Sequence, residues 1–208
     1  MRNHAKAAVL SLAAAIFLAV GSPAASANNF RLNEDDILAS WNPLRITMGG
    51  QTISCPVTVH GSFHSRTVDK SPGSLDGFIT SAVVNDSACT NGRVTILTEA
   101  LPWHIQYDSF TGELPEIASV TLRFLDIRIL IDPTGALPTC LWGTAAGDPA
   151  IFIAELNESG QVTALRADEN RTIDLSGPLC EIAGTTRLAG SAPVRVGDTN
   201  NPAVVTLV

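Results

Sequence analysis

The chain has 208 residues, of which 20 are acidic and 13 are Lys or Arg, so its formal net charge is −7. Nucleic acids and anionic membrane surfaces would repel such a protein, and both are disfavoured as partners. Hydrophobic residues make up 45% of the chain, with 16 Gly and 12 Pro, which is typical of a folded, turn-rich protein rather than a disordered one.

The first 27 residues have the form of a secretory signal peptide. Arg2 and Lys6 precede an apolar run over residues 7–20, and the small residues Ala25, Ser26 and Ala27 follow. The run is too short for a spanning helix, and later apolar stretches carry charges, so we expect no transmembrane span after cleavage. Residues 28–208 are therefore predicted to form one domain that is secreted or held in the cell envelope. The signal and the Lys-poor composition indicate a bacterial source.

One short helix is predicted near the mature N-terminus. Asn33 could cap a helix over residues 34–39, because Glu34, Asp35 and Asp36 would then complement the helix dipole in the first turn. The remaining pattern predicts strands.

The clearest strand covers residues 53–63. Its odd positions include Ile53, Cys55 and Val57, whereas its even positions are mostly Ser, Thr and His. Residues 103–108 show the same alternation, with Trp103 and Ile105 on the apolar face. A period of two is typical of a strand with one face on the core and one on water.

The apolar stretch 120–131 changes phase in its middle. Apolar residues occupy even positions up to Phe124 and odd positions from Leu125 onward. A one-residue shift exchanges the two faces of a strand. This pattern predicts either a β-bulge near Phe124 and Leu125 or a strand that passes from one sheet to another.

Further short strands are predicted between turn signals such as Asn91-Gly92 and Ser159-Gly160. They cover residues 44–48, 78–84, 94–98, 139–143, 151–156, 162–166, 172–175, 179–188 and 203–207. Many short strands without alternating helices predict an all-β fold, an antiparallel β-sandwich or a barrel-like arrangement.

Four cysteines lie after the signal, and an even number in an exported chain favours two disulfides. Three pairings are open. We favour Cys55–Cys89 with Cys140–Cys180, because each pair then brackets one half of the domain. A thiolate metal or redox site is the alternative, but the chain has no Cys-x-x-Cys motif.

The histidines are the candidates for a metal site. His60 and His64 lie four apart, which on a strand separates their Cα atoms by roughly 13 Å, too far for one ion. A cross-strand cluster of His64 with His104 is the remaining arrangement. We favour solvent-facing polar residues over metal ligands for all three.

Motifs for catalysis or cofactor binding are not found in the sequence. It has no Gly-x-Ser-x-Gly elbow, no His-Glu-x-x-His and no phosphate-binding glycine loop. We therefore predict no catalytic residue and no cofactor.

Tryptophans are candidates for either core or ligand contacts. Pro102 precedes Trp103 at the start of a predicted strand, and Trp142 follows Cys140 closely. Large aromatic side chains most often fill a core, which is the favoured interpretation. A ligand groove lined by them is the alternative.

The order of Cys89, Leu101-Pro102-Trp103, the strand region 120–131, Cys140 and Cys180 resembles small secreted bacterial alkane oxidation protein activators of the PraB type. It also resembles exported actinobacterial proteins of unknown function. The resemblance covers about residues 50–190. It implies an extracellular or envelope protein linked to growth on hydrophobic substrates and to the surface or biofilm matrix, with no catalytic residues to transfer.

These observations favour a non-enzymatic, exported β-protein that acts in surface recognition or as a structural component of the envelope. Its partner would be a protein, a glycan or an apolar ligand at the cell surface. Two alternatives stay open: a secreted hydrolase or metal-dependent enzyme that uses His60, His64 and His104, and a carrier of lipid or hydrocarbon.

Overall fold

The computed structural model describes residues 29–135, 137–174, 185–197 and 199–208. These residues are almost entirely β-structure, with helix only as two 3₁₀ turns, Asp86–Ala88 and Thr98–Ala100. The strands are β1 (Asn29–Leu32), β2 (Asp36–Met48), β3 (Gln51–Phe63), β4 (Thr67–Asp69), β5 (Leu75–Val84), β6 (Gly92–Ile96), β7 (Trp103–Glu113), β8 (Glu116–Leu125), β9 (Arg128–Pro133), β10 (Cys140–Gly143), β11 (Ala150–Leu156), β12 (Val162–Ala167), β13 (Thr172–Asp174), β14 (Thr185–Ala189), β15 (Ser191–Ala192), β16 (Val194–Val196) and β17 (Val205–Leu207).

The predicted N-terminal helix is wrong. Residues 36–48 form strand β2, in which Ile37, Ala39 and Trp41 are buried at every second position. That apolar alternation outweighs the acidic residues that favour a helix start, because β2 pairs with β3 along its length. Asn33 caps no helix; its side chain bonds instead to the backbone of Pro202 and Val204.

The main sheet is antiparallel and curls until its ends meet. Its central order is β2-β3-β5-β7-β8-β11-β12. The segment 185–196 joins the ends: β14 and β16 pair with β2, and β15 between them pairs with β12. The all-β antiparallel prediction is confirmed, in its barrel-like form. Joining the ends also covers backbone edges that would otherwise be open.

Two three-stranded sheets pack over the interior of the curled sheet. One has the order β17-β1-β4 and contributes Phe30, Val68 and Val205 to a buried apolar cluster with the main sheet. The other has the order β10-β9-β6 and contributes Val94 and Trp142 to a second cluster. Each small sheet thus packs against a different part of the apolar interior of the main sheet.

The phase change in residues 120–131 marks a passage between sheets. β8 belongs to the main sheet and ends at Leu125, and β9 belongs to the β10-β9-β6 sheet and begins at Arg128. Between them Asp126 has a φ of 62°, a left-handed conformation that reverses the alternation. Of the two predicted causes, the second is confirmed.

The disulfide between Cys55 and Cys89 is present and joins β3 to the segment after the first 3₁₀ turn. Cys55 is buried on the inner face of β3, as its odd position predicts. Cys140 is also buried. Its predicted partner Cys180 lies outside the described residues, and so does part of the predicted strand 179–188, so the second pairing stays a prediction.

Side chains fill the interior. Trp41, Trp103 and Trp142 are 2%, 4% and 1% exposed, so the prediction that tryptophans serve the core is confirmed for the two that it named, Trp103 and Trp142. Trp41 packs edge-on against Phe152 at a centroid distance of 5.6 Å. The space left in the two apolar clusters amounts to cavities of about 60 Å³ and 50 Å³.

Two glycines with similar φ angles test how closely the β11–β12 hairpin packs against β17. Gly160 (φ +74°) and Gly73 (φ +83°) share the cost of placing a side chain at positive φ. A Cβ at Gly160 would lie 2.2 Å from the carbonyl oxygen of Val205, whereas a Cβ at Gly73 would meet nothing within 4 Å. We expect Gly160→Ala to lower the free energy of unfolding by ~2 kcal/mol more than Gly73→Ala, as measured by urea denaturation. Equal losses would contradict this packing.

Removing the Cys55–Cys89 disulfide should also destabilise the domain. The bond closes a loop with a sequence separation of 34, and the loss of that constraint costs ~4 kcal/mol on a chain-entropy estimate. We expect the double variant Cys55→Ser/Cys89→Ser to lose stability of this order in denaturant under oxidising conditions. A double variant as stable as the wild type would show that the crosslink does not stabilise the fold.

Candidate functional site

Two of the three candidate histidines pack against the same phenylalanine ring on the outer face of the main sheet. Phe78 on β5 lies between His64, just beyond β3, and His104 on β7, with ring-centroid distances of 4.7 Å and 5.1 Å. His60 takes no part in this group; it lies on β3 opposite Leu38 and Ser81. The cross-strand proximity of His64 and His104 therefore exists, but an aromatic ring separates them.

His104 also contacts the residue that directly follows β8. Its Nδ1 lies 2.5 Å from Oδ2 of Asp126, and both side chains are partly exposed. The contact ties β7 to the turn through which the chain leaves the main sheet. Among the described residues, no group of three or more His, Cys, Asp or Glu side chains could hold a metal ion.

Asp76 is a buried carboxyl group that sequence patterns did not indicate. It is 7% exposed and accepts hydrogen bonds from the Ser74 hydroxyl (2.9 Å) and the Tyr107 backbone N–H (2.8 Å). Burial raises the pKa of Asp76, and these two hydrogen bonds oppose the rise. Asp76 interrupts the regular pairing of β5 with β7, which shifts register between Leu75 and Gly77. We assign it a structural role at this irregularity.

Tyr107 is a second buried ionisable side chain, and it lies on the inner face of β7. It packs against Phe30 at a centroid distance of 5.8 Å and borders the larger apolar cavity. Burial raises its pKa, with smaller contributions from Asp108 and Asp76, so the phenol is neutral at physiological pH. It serves as a core side chain.

An outer groove is the candidate binding site. It has a volume of about 430 Å³, within the ~300–1,000 Å³ range of small-ligand pockets. The outer faces of β7, β8 and β11 form its floor, and the segments 147–149 and 168–171 form its rim. Ile151 and Ile153 contribute an apolar, half-buried surface to the floor.

Two arginines of the groove are held by its rim. Nη2 of Arg123 donates to the carbonyl oxygen of Ala146 at 2.6 Å, which ties the rim to β8. Nη2 of Arg171 lies 3.3 Å from Oδ1 of Asp148. Contacts of this kind limit the rotamers of long side chains, so the two guanidinium groups are held in place at the groove.

Two carboxylates complete the groove. Asp108 lies at the register shift between β7 and β8, and Asp168 follows β12 directly. Oδ1 of Asp168 accepts the Asn170 backbone N–H at 3.1 Å, which orients the carboxylate. Two cationic and two anionic side chains therefore line one groove, on a protein whose overall charge is strongly negative.

Sequence patterns could not find this groove. Its charged residues come from three separate segments, and alternation shows only that Arg123 and Ile151 point outward. Their register pairing on β8 and β11 brings these two side chains together. The outward side chains of Ile151 and Ile153 are the one signal of the groove in the local sequence, since solvent-facing strand positions are usually polar.

The chain matches no known sequence family, and no curated protein or solved structure shows significant similarity to it. The resemblance to the PraB-type activators stays a prediction. No helix in the described part of the chain is long and apolar enough to cross a membrane.

The raised pKa of Asp76 predicts a pH-dependent stability. The folded state binds the Asp76 proton more tightly than the unfolded state does, so the wild type should lose stability as pH rises from the usual Asp value through the raised one. In the Asp76→Asn variant the side chain at this position is an amide, which does not titrate. We therefore expect the unfolding free energy of the wild type, relative to Asp76→Asn, to fall across this window when measured by urea denaturation. A constant difference would contradict the raised pKa.

Proposed function

We propose that this protein is an exported, non-enzymatic recognition protein that binds a polar ligand of the cell surface in the outer groove. The groove is the observation that carries the proposal. It combines a volume suited to a small ligand with pre-organised charged side chains and an apolar floor.

Export is supported by two independent features. The first 27 residues have the form of a signal peptide, and the disulfide between Cys55 and Cys89 suits an oxidising compartment. A crosslinked sheet with joined ends is a stable support for a binding surface outside the cell.

Binding on the outer face is favoured over the two alternatives. A lipid or hydrocarbon carrier needs an interior space of several hundred Å³, and the apolar cavities within the described structure measure about 60 Å³ and 50 Å³. A metal-dependent enzyme would need His60, His64 and His104 to converge. His60 lies apart, and Phe78 separates the other two.

Blocking the groove tests the proposal. A Cβ at Gly147 would meet nothing within 4 Å, so Gly147→Trp adds a ring at the rim without disturbing the fold. We expect labelled mature protein, residues 28–208, to bind saturably to intact cells of the producing organism. Gly147→Trp should weaken that binding at least ~10-fold, as flow cytometry would measure.

Arg45→Leu is the matched control. Arg45 is exposed on β2, outside the groove, so its loss should leave cell binding unchanged. Melting temperatures establish that both variants are folded. The proposal is overturned if the wild type does not bind cells or if the folded Gly147→Trp variant binds as well as the wild type.

A further inference from the structure

We propose that a second surface, the edge cleft, binds an extended basic segment of a partner protein by strand addition. The edge cleft has a volume of about 220 Å³ and is lined by residues 115–117, 157–160 and 205–207. It lies between the start of β8, the β11–β12 turn and β17. The edge cleft shares no lining residue with the outer groove, so binding here is independent of the proposed function.

Strand β17 has a free edge where it borders the cleft. Asn29 and Val208 exchange backbone hydrogen bonds of 3.4 Å and 3.1 Å. Because such pairs alternate along an antiparallel ladder, the N–H and C=O of Leu207 point away from β1. On that side the Val205 N–H donates to the Gly160 carbonyl oxygen at 2.8 Å, but no backbone group of the described residues pairs with Leu207.

Strand β8 also extends past its neighbour at the cleft. Its pairing with β11 begins at Ser119, which lies opposite Glu155. Residues 116–118 pair with β7 on one side only, and within the described structure no backbone hydrogen bond reaches them from the other side. The cleft therefore brings together two strand edges without a neighbour, and such edges are where an extended peptide adds to a sheet.

The lining of the cleft is acidic. Glu116 and Glu158 are both exposed in it, and no Lys or Arg of the described residues lines it. The protein as a whole also carries a formal charge of −7. A partner segment that is rich in Lys or Arg is therefore attracted, whereas a second copy of this acidic chain is repelled.

Charges around the lining leave this sign unchanged. Two cations lie near the cleft: Arg31 of β1 is paired with Thr206, and Lys70 lies 5.4 Å from the ring centroid of the neighbouring Phe30. Two further acids balance them, Glu113 at the end of β7 and Asp69 at the end of β4. The two glutamates of the lining thus keep the region negative.

Exposed apolar side chains beside the cleft define the rest of the partner. Among the described residues four large apolar side chains are exposed, and two of them adjoin the lining. Leu114, 48% exposed, precedes Pro115, and Val208, 49% exposed, follows Leu207. Apolar side chains gathered at one place mark interaction surfaces. A strand in which basic and apolar residues alternate supplies both kinds of contact.

Binding of defined peptides tests the proposal. The probe is a fluorescein-labelled peptide of about six residues, a common strand length, in which lysine and valine alternate. A peptide with glutamate in place of lysine is the comparison. We expect the mature protein, residues 28–208, to bind the lysine peptide at least ~10-fold more tightly in fluorescence anisotropy, with a difference that shrinks at high salt.

Amide hydrogen exchange distinguishes strand addition from attraction to an acidic surface. The Leu207 N–H has no acceptor within the described residues, so it should exchange quickly in the free protein. A saturating concentration of the lysine peptide should slow that exchange at least ~10-fold, as NMR would measure. The Val205 N–H already donates to Gly160 and is the internal control, which should change far less.

Substitution of the two glutamates tests the charge argument. Glu116→Gln/Glu158→Gln should weaken binding of the lysine peptide about 3- to 10-fold, because two attractive charges are lost. The matched control is Asp86→Asn/Glu99→Gln, which removes two exposed acids of the 3₁₀ turns outside the cleft and should leave the affinity unchanged. Melting temperatures establish that both double variants are folded.

Four results overturn the proposal. The lysine peptide binds no better than the glutamate peptide or not at all; it binds without slowing exchange at Leu207; or it binds the folded Glu116→Gln/Glu158→Gln variant as tightly as the wild type. The fourth is a dimer in analytical ultracentrifugation whose formation protects the Leu207 N–H, which assigns the edge to a second copy instead. None of these results bears on the outer groove, which Gly147→Trp tests separately.

Discussion

The structure depends on one set of backbone pairings, those of the segment 185–196 with both ends of the main sheet. β14 and β16 pair with β2, and β15 pairs with β12. The segment that follows the β11–β12 hairpin therefore joins β2, at one end of the main sheet, to β12, at the other end. The interior is thereby surrounded, and the two small sheets complete its burial. An open sheet of this length would leave its edges free to pair with other chains.

This closure separates the two faces of the sheet chemically. Apolar side chains fill the inside and leave only small cavities, so the polar and charged residues that the strands carry between them are presented on the outside. The outer groove forms where the segments 147–149 and 168–171 rise over β8 and β11. The fixed strands hold its floor, and arginine contacts hold its rim, which is the arrangement that binding to a pre-formed site requires.

Alternation of apolar residues predicted the long strands well. β3 and β7 carry their buried side chains at the expected positions, because one face of each strand meets the core and the other meets solvent. The helix at residues 34–39 was mispredicted because local charge favoured a helix start, and the pairing of β2 with β3 outweighed that preference. The short strands β1, β4, β15 and β16 were not predicted, since two to four residues carry too little pattern.

By itself, the sequence determined the fold class, the inward position of Cys55 and the outward position of residues such as Arg123 and His104. These properties depend on the period of a strand, which is local. Only the tertiary structure decided that the sheet closes and that Phe78 separates His64 from His104. It also placed four charged side chains from distant segments in one groove. Those outcomes depend on strand order and register, which arise from contacts between residues far apart in the chain.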